Sequence, residues 1–174
     1  MQTPSQAGPS GPFTFRPLVA ADLELCARWL SAEHVRPWWE TPADLPAYFL
    51  DEREPVRRYL ALLDGRPIGF LQSYRWADHP AEAAAVAAEP GEVGLDYLIG
   101  ELELVGQGVG PAMLAAFLDQ LAFADQAVTG VRVDVSPGNR RSWRCLQKVG
   151  FHRVGPAGPM PGEPGRHDVY LRER

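Results

Sequence analysis

Residues 13–18 alternate apolar and polar side chains and run into Pro17, which predicts a short first strand near a sheet edge. Leu23, Leu25, Cys26, Trp29 and Leu30 then recur at helical spacing behind Asp22, which is placed to cap a first helix. Pro37, Pro42 and Pro46 break regular structure, leaving residues 35–41 as a loop that carries Trp38 and Trp39, and a second short helix is expected over 45–52. Two apolar, β-prone runs, 57–63 and 67–76, flank Asp64-Gly65, a strong signal for a hairpin of strands two and three. The alanine-rich stretch 77–91 reads equally as a loop or a brief helix. Residues 92–99 predict a fourth strand and 131–135 a fifth. Between them, 108–125 carries Met113, Leu114, Phe117, Leu118 and Leu121 at helical spacing. A final helix over 142–149 is closed by Gly150, and a last strand over 169–171 follows a loop, 155–165, crowded with Gly and Pro.

This order implies a mixed α/β sheet covered by helices, and the unit of strand four, helix and strand five makes those two strands parallel. A length of 174 residues with 45 % apolar content suits one domain, expected over 13–174 behind a flexible tail at 1–12 that is rich in Gln, Ser, Gly and Pro. The start of the chain lacks the basic and apolar pattern of a secretory signal, and no apolar run is long enough to span a membrane, so a soluble, cytoplasmic protein is expected. Cys26 and Cys145 read as free buried thiols. The four histidines, His34, His79, His152 and His167, are scattered without metal-ligand spacing, and no metal is expected. A formal charge of −5 speaks against nucleic acid as a partner and suits a cationic one, the second point weakly.

The segment Val105-Gly106-Gln107-Gly108-Val109-Gly110-Pro111 follows a strand and opens an amphipathic helix. Glycines permit a tight turn and close approach of a ligand, and the unpaired N–H groups of a helix start attract an anion. Alone, the segment reads either as a pyrophosphate site or as a tight connection. It lacks the Gly-Lys-Ser/Thr ending of the nucleotide-hydrolase loop, and its place after the fourth strand does not suit the dinucleotide fingerprint. A second segment decides: Asp134-Val135-Ser136-Pro137-Gly138-Asn139 leads into a short helix that ends Cys145-Leu146-Gln147-Lys148-Val149-Gly150-Phe151. Together the two segments resemble the acyl-CoA site of the GNAT superfamily. Gly94-Leu95-Asp96 on strand four, Gln72-Ser73-Tyr74 on strand three and Trp38-Trp39 are similar to the aminoglycoside 6′-N-acetyltransferases within it.

The resemblance implies a mostly antiparallel sheet of about six to seven strands with a parallel, splayed pair of strands four and five, and direct transfer of acetyl from acetyl-CoA to a small-molecule amine; the chain itself leaves monomer and homodimer both open. The acceptor it implies is an aminoglycoside 6′-amine, with a siderophore-type hydroxylysine or polyamine as the rival and an idle acyl-CoA sensor as a third reading. By the same resemblance, backbone N–H groups of Gln107, Gly108, Val109, Gly110 and Ala112 hold the pyrophosphate, with Pro111 tolerated at the first helical position. Asn139 holds the pantetheine arm, and backbone donors near Tyr97 and Leu98 polarise the thioester carbonyl. Leu146 stands where many superfamily members have a proton-donating Tyr, and Val105 where relatives often have Arg or Gln. Asp96 and Asp134 are the expected catalytic and substrate-side carboxylates, and Trp38, Trp39 and Tyr74 the expected substrate contacts. Asp96 reads otherwise as a buried structural carboxylate and Asp134 as a cap on the following turn. Trp38 and Trp39 read otherwise as core residues, and Asp78, Glu82 and Glu163 as solvated.

Overall fold

The first strand, β1 (Phe13–Pro17), lies at a sheet edge as its Pro requires, antiparallel to β2 (Val56–Leu63). These strands belong to a computed structural model that describes residues 13–162 and 165–174, so the expectations for the 1–12 tail and for Glu163 lie outside the described residues. β2 turns into β3 (Arg66–Arg75) through Asp64 at φ 51° and Gly65 at φ 77°, the paired left-handed conformation of a two-residue hairpin loop. β4 (Glu92–Ile99), β5 (Gly130–Val135), β6 (His152–Pro156) and β7 (Asp168–Glu173) complete a seven-stranded sheet ordered β1-β2-β3-β4-β5-β7-β6. Every neighbouring pair is antiparallel except β4 and β5, which are parallel.

Helices α1 (Leu23–Ser31), α2 (Leu45–Leu50), α3 (Pro80–Val86), α4 (Val109–Phe117) and α5 (Arg140–Lys148) cover the sheet. Strand alternation sorts the core into two layers. Val93 and Leu95 of β4 and Val131, Val133 and Val135 of β5 pack with Met113, Leu114, Phe117 and Leu146 of α4 and α5. Leu60, Phe70 and Leu98 pack on the opposite face with Cys26, Trp29 and Leu30 of α1 and Phe49 of α2. No helix among the described residues is long and apolar enough to cross a membrane.

Several expectations shift. Asp22 precedes α1 without capping it through its side chain. Its carboxylate instead accepts two 2.7 Å bonds from Arg16 and one of 3.0 Å from the Val19 N–H, fixing the turn into the helix. The 77–91 stretch does contain a helix, α3, which Ala87 ends in the left-handed conformation. The long amphipathic helix is α only to Phe117; Leu118–Ala122 continue as one π turn, closed by the Phe123 N–H on the Leu118 carbonyl at 2.8 Å. α5 starts two residues earlier than the pattern predicts, because Asn139 caps it by accepting the Ser142 N–H at 3.2 Å. At its other end Gly150, at φ 90°, and Phe151 return N–H bonds to the Gln147 and Leu146 carbonyls, a Schellman close.

Candidate active site

β4 and β5 pair only at Glu92↔Gly130 and Val93↔Val131, after which they separate. The base of the split is clamped from within: Arg132, 6 % exposed, donates to both oxygens of Glu92, 7 % exposed, at 2.5 and 3.0 Å. Three residues beyond the last pair, Asp96 and Asp134 stand at equivalent heights on the two sides of the gap. Both have the parity of Leu98 and Arg132 rather than that of the Val93 and Val131 layer, so both face away from α4 and α5.

A cavity of about 1320 Å³ runs through this split and is walled by residues of both faces. On the α4/α5 face it meets Gly106, Gly108, Gly110, Asn139, Ser142 and Cys145. Gly106 and Gly108 have φ of +79° and +80°, which side chains rarely adopt, and neither would meet an atom within 4 Å if it carried a Cβ, so the turn leaves open space above its backbone. α4 begins at Val109, which puts Pro111 third rather than first, still within the turn where N–H groups lack a helical acceptor. Among the five backbone donors expected to serve an anion, Gln107 already reaches the Leu104 carbonyl at 3.4 Å and Ala112 the Gly108 carbonyl at 3.3 Å. Gly108, Val109 and Gly110 precede the first helical bond.

The Tyr97 side chain crosses from β4 to α5, where its hydroxyl meets the Ser142 carbonyl at 3.0 Å and the Ser142 Oγ at 2.9 Å; burial holds it well above the usual tyrosine range. Leu146 is fully buried in the core, so a tyrosine side chain at that position would have to displace packed atoms. Burial also pushes the Cys145 thiol up to about 11, which keeps it out of the thiolate form.

The other face is built around carboxylates. Gln72, buried on β3 directly opposite Asp96, donates Nε2 to the Asp96 Oδ2 at 2.8 Å, and its Oε1 has no hydrogen-bond partner among the described residues. Tyr48 of α2 lines the same wall; burial raises its hydroxyl above the ordinary range, and the Asp96 charge adds to this. Asp134 does not serve the turn after β5, which the Asn139 N–H closes on the Ser136 carbonyl at 2.9 Å; its Oδ2 instead meets the His167 Nδ1 at 2.6 Å. The Tyr74 ring packs edge-on against Trp76 and His79 and lies over Gly94, where a Cβ would come within 2.1 Å of it. That contact is a physical reason for glycine two residues before Asp96. The two tryptophans divide: Trp39 packs edge-on against Phe70 in the core, whereas Trp38 is 49 % exposed and lies against the 136–138 turn across the cavity. Glu82 is half-buried in the cavity wall and Asp78 is exposed.

Asp96, Asp134, Tyr74, Trp38, Trp39 and the glycine turn therefore all line one cavity. The cavity wall adds Tyr48, which no pattern in the chain singles out, His167, expected only as one of four scattered histidines, and Gln72, expected only as part of a motif. The shared strand face of Gln72 and Tyr74 was a usable signal for Gln72; nothing along the chain marks the other two.

The chain matches the family model described as Acetyltransferase (GNAT) domain over residues 19–157. It is 34 % identical over 169 residues to aminoglycoside N(6′)-acetyltransferase type 1 of Klebsiella pneumoniae, covering 92 % of this chain and 83 % of that one. It is 23 % identical over 149 residues to lysine N-acyltransferase MbtK of Mycolicibacterium paratuberculosis, covering 83 % of this chain and 67 % of that one. The crystal structure of aminoglycoside acetyltransferase AAC(6′)-Ib with coenzyme A and kanamycin superposes with a TM-score of 0.83 at 32 % identity, covering 93 % of this chain and 95 % of that one. The chain therefore belongs to the GNAT acetyltransferase family, and it is an acyl-transferring enzyme. Its mixed sheet with the splayed parallel pair is the GNAT fold of those acetyltransferase structures.

Proposed function

We propose that this protein transfers acetyl from acetyl-CoA to the 6′-amine of an aminoglycoside, in one domain spanning 13–174, in the cytoplasm. The observation that carries the reading is the split between β4 and β5, with an anion-ready helix start on one face and paired carboxylates on the other, joined by one cavity. The donor side fits acetyl-CoA because left-handed glycines clear the backbone and the α4 start has unpaired N–H groups, so we place the pyrophosphate on Gly108, Val109 and Gly110. Asn139 spends its side-chain oxygen on the α5 cap, which leaves its amide NH₂ for the pantetheine arm. Backbone donors near Tyr97 and Leu98, in the opened stretch of β4, polarise the thioester carbonyl.

On the acceptor side, Asp96 takes the ammonium next to the Gln72 carbonyl oxygen, which supplies a second acceptor. Asp134 holds the other side of the same amine, while Trp38 and Tyr74 wall the sugar rings. The formal charge of −5 favours such a polycation over a nucleic-acid phosphate backbone. The similarity to a lysine N-acyltransferase keeps a siderophore-type hydroxylysine or polyamine acceptor as the rival reading. The test is thiol release from acetyl-CoA with kanamycin, tobramycin, a polyamine and N-hydroxylysine. Kanamycin and tobramycin should give the highest kcat/KM; release with N-hydroxylysine or the polyamine alone would overturn the aminoglycoside reading, and failure of every one of these amines to give release would overturn catalysis.

A further inference from the structure

An amine reaches this site as an ammonium and attacks only after losing a proton, so the acceptor face needs a base as well as a binding charge. An unperturbed carboxylate titrates near pH 4 and an unperturbed imidazole near pH 6.5, so of the two side-chain types the imidazole is the better base for the task. The ring that lines the acceptor side of the cavity next to Asp134 belongs to His167. We propose that His167, oriented by Asp134, is the general base that takes the proton from the substrate ammonium, an assignment that rests on the amine-acetylating reading above.

The geometry supports this in three ways. Asp134 Oδ2 lies 2.6 Å from His167 Nδ1, with side-chain exposures of 11 % and 16 %, so the contact is largely sheltered from water. A carboxylate on Nδ1 fixes that nitrogen as the N–H and makes Nε2 the basic one, and it stabilises the imidazolium that forms. Finally, Asp134 faces Asp96 across the split and His167 lies just ahead of Val169, the β7 partner of Asp134, so the dyad flanks the amine that Asp96 would hold. The cavity wall around the dyad also carries Asp96 on β4, His79 and Glu82 at and within α3, and Arg166 beside it; Asp168, next in the chain, is paired with Arg153 of β6.

The step balances. One ammonium N–H bond breaks and its proton passes to Nε2 of His167. The freed nitrogen lone pair forms the bond to the acetyl carbon, and the C–S bond breaks with its electron pair going to sulfur. The nitrogen's remaining surplus proton ends on the thiolate through water, and His167 releases its own to solvent. Asp134 stays ionised throughout.

The experiment is the pH dependence of kcat and kcat/KM for kanamycin with the parent, His167→Gln, His167→Ala and Asp134→Asn, alongside thermal melts and acetyl-CoA binding. Glutamine retains a donor for Asp134 but cannot take a proton. His167→Gln should lower kcat at neutral pH by roughly 10²-fold or more, with unchanged acetyl-CoA affinity, and the deficit should shrink at alkaline pH as solvent deprotonates the amine. Imidazole in the buffer should restore part of the His167→Ala rate. Asp134→Asn should lower kcat at neutral pH as well, because the ring loses the carboxylate that fixes Nδ1 as the N–H and Nε2 as the proton acceptor. A folded His167→Gln enzyme with the parent rate and profile overturns the assignment. So does a deficit that is equal at all pH values and insensitive to imidazole, which marks a positioning role. A parent that acetylates no amine sinks the functional reading and this inference together, whereas an active parent with an indifferent His167 sinks only the latter.

Discussion

Asp96 sits in the middle of a strand between apolar neighbours, a costly place for a carboxylate unless something holds it. The Gln72 amide does so at 2.8 Å, and the carboxylate lines the cavity. Asp96→Asn should therefore lower kcat/KM for an aminoglycoside by about one to two orders of magnitude, the worth of one charge-assisted hydrogen bond. Acetyl-CoA affinity, measured by calorimetry, should barely move, since the contacts proposed for it are on the other face. Gly108→Val should do the opposite: a β-branched side chain at φ +80° costs on the order of 1–2 kcal/mol and fills the open space above the turn, so acetyl-CoA binding should weaken at least tenfold while the melting temperature falls by several degrees and the protein stays folded. Both positions were legible in the sequence, one as a charge out of place and the other as a glycine in a patterned turn. His167 was not, because its partner Asp134 is distant in the chain and the Gly- and Pro-rich loop that brings it back has no periodicity from which a contact could be read.

The elements that mattered most were those whose pattern repeats. The hairpin at Asp64-Gly65, the parallel unit of β4, α4 and β5, and the amphipathic α4 follow directly from period and turn chemistry. β6 did not, since His152-Arg153-Val154-Gly155-Pro156 is mostly exposed at the sheet edge and alternates nothing; only its pairing to β7 makes it a strand. Nor did the π turn, which needs one additional residue per turn and leaves the apolar spacing around Leu118 and Leu121 intact. Where β4 loses β5, the Tyr97 hydroxyl takes over by tying the strand to α5 through Ser142. Tyr97→Phe should accordingly cost about 0.5–1.5 kcal/mol in denaturant unfolding. It should also weaken acetyl-CoA binding, because Ser142 and Asn139 share the first turn and cap of that helix. An unchanged midpoint and affinity would show that packing alone fixes the helix.

At the scale of the molecule, the sheet is held together at the point where it is about to come apart. Arg132 and Glu92 form a buried, two-bond pair across the last rung before the split, and Arg132 reaches the Val86 carbonyl at the end of α3 as well. Removing one partner of such a pair leaves a buried charge, so Glu92→Ala should destabilise by about 3–5 kcal/mol in urea melts, far more than loss of an exposed bridge such as Arg66–Glu103. Acid should act through different groups. The Arg153 guanidinium holds Asp168 below its ordinary range, and Arg16 does the same for Asp22. Carboxylates lowered in the folded state stabilise it above their unfolded value near pH 4 and lose that contribution as pH falls through the folded value, so the melting temperature should drop below about pH 4. Arg153→Gln should make that drop shallower. The sequence implied the split through family likeness, but the clamp beneath it joins residues forty positions apart with no local sign. One consequence of the split lies in the order of events. In the arrangement proposed above, donor and acceptor enter from opposite faces, so neither has to leave before the other arrives, and the Cys145 thiol, the only one among the described residues of the cavity wall, is too protonated to carry the acetyl between visits. Initial rates with both reactants varied should therefore give intersecting double-reciprocal lines, and a non-reacting CoA analogue should compete with acetyl-CoA while leaving room for the amine; parallel lines would mean that the two faces take turns.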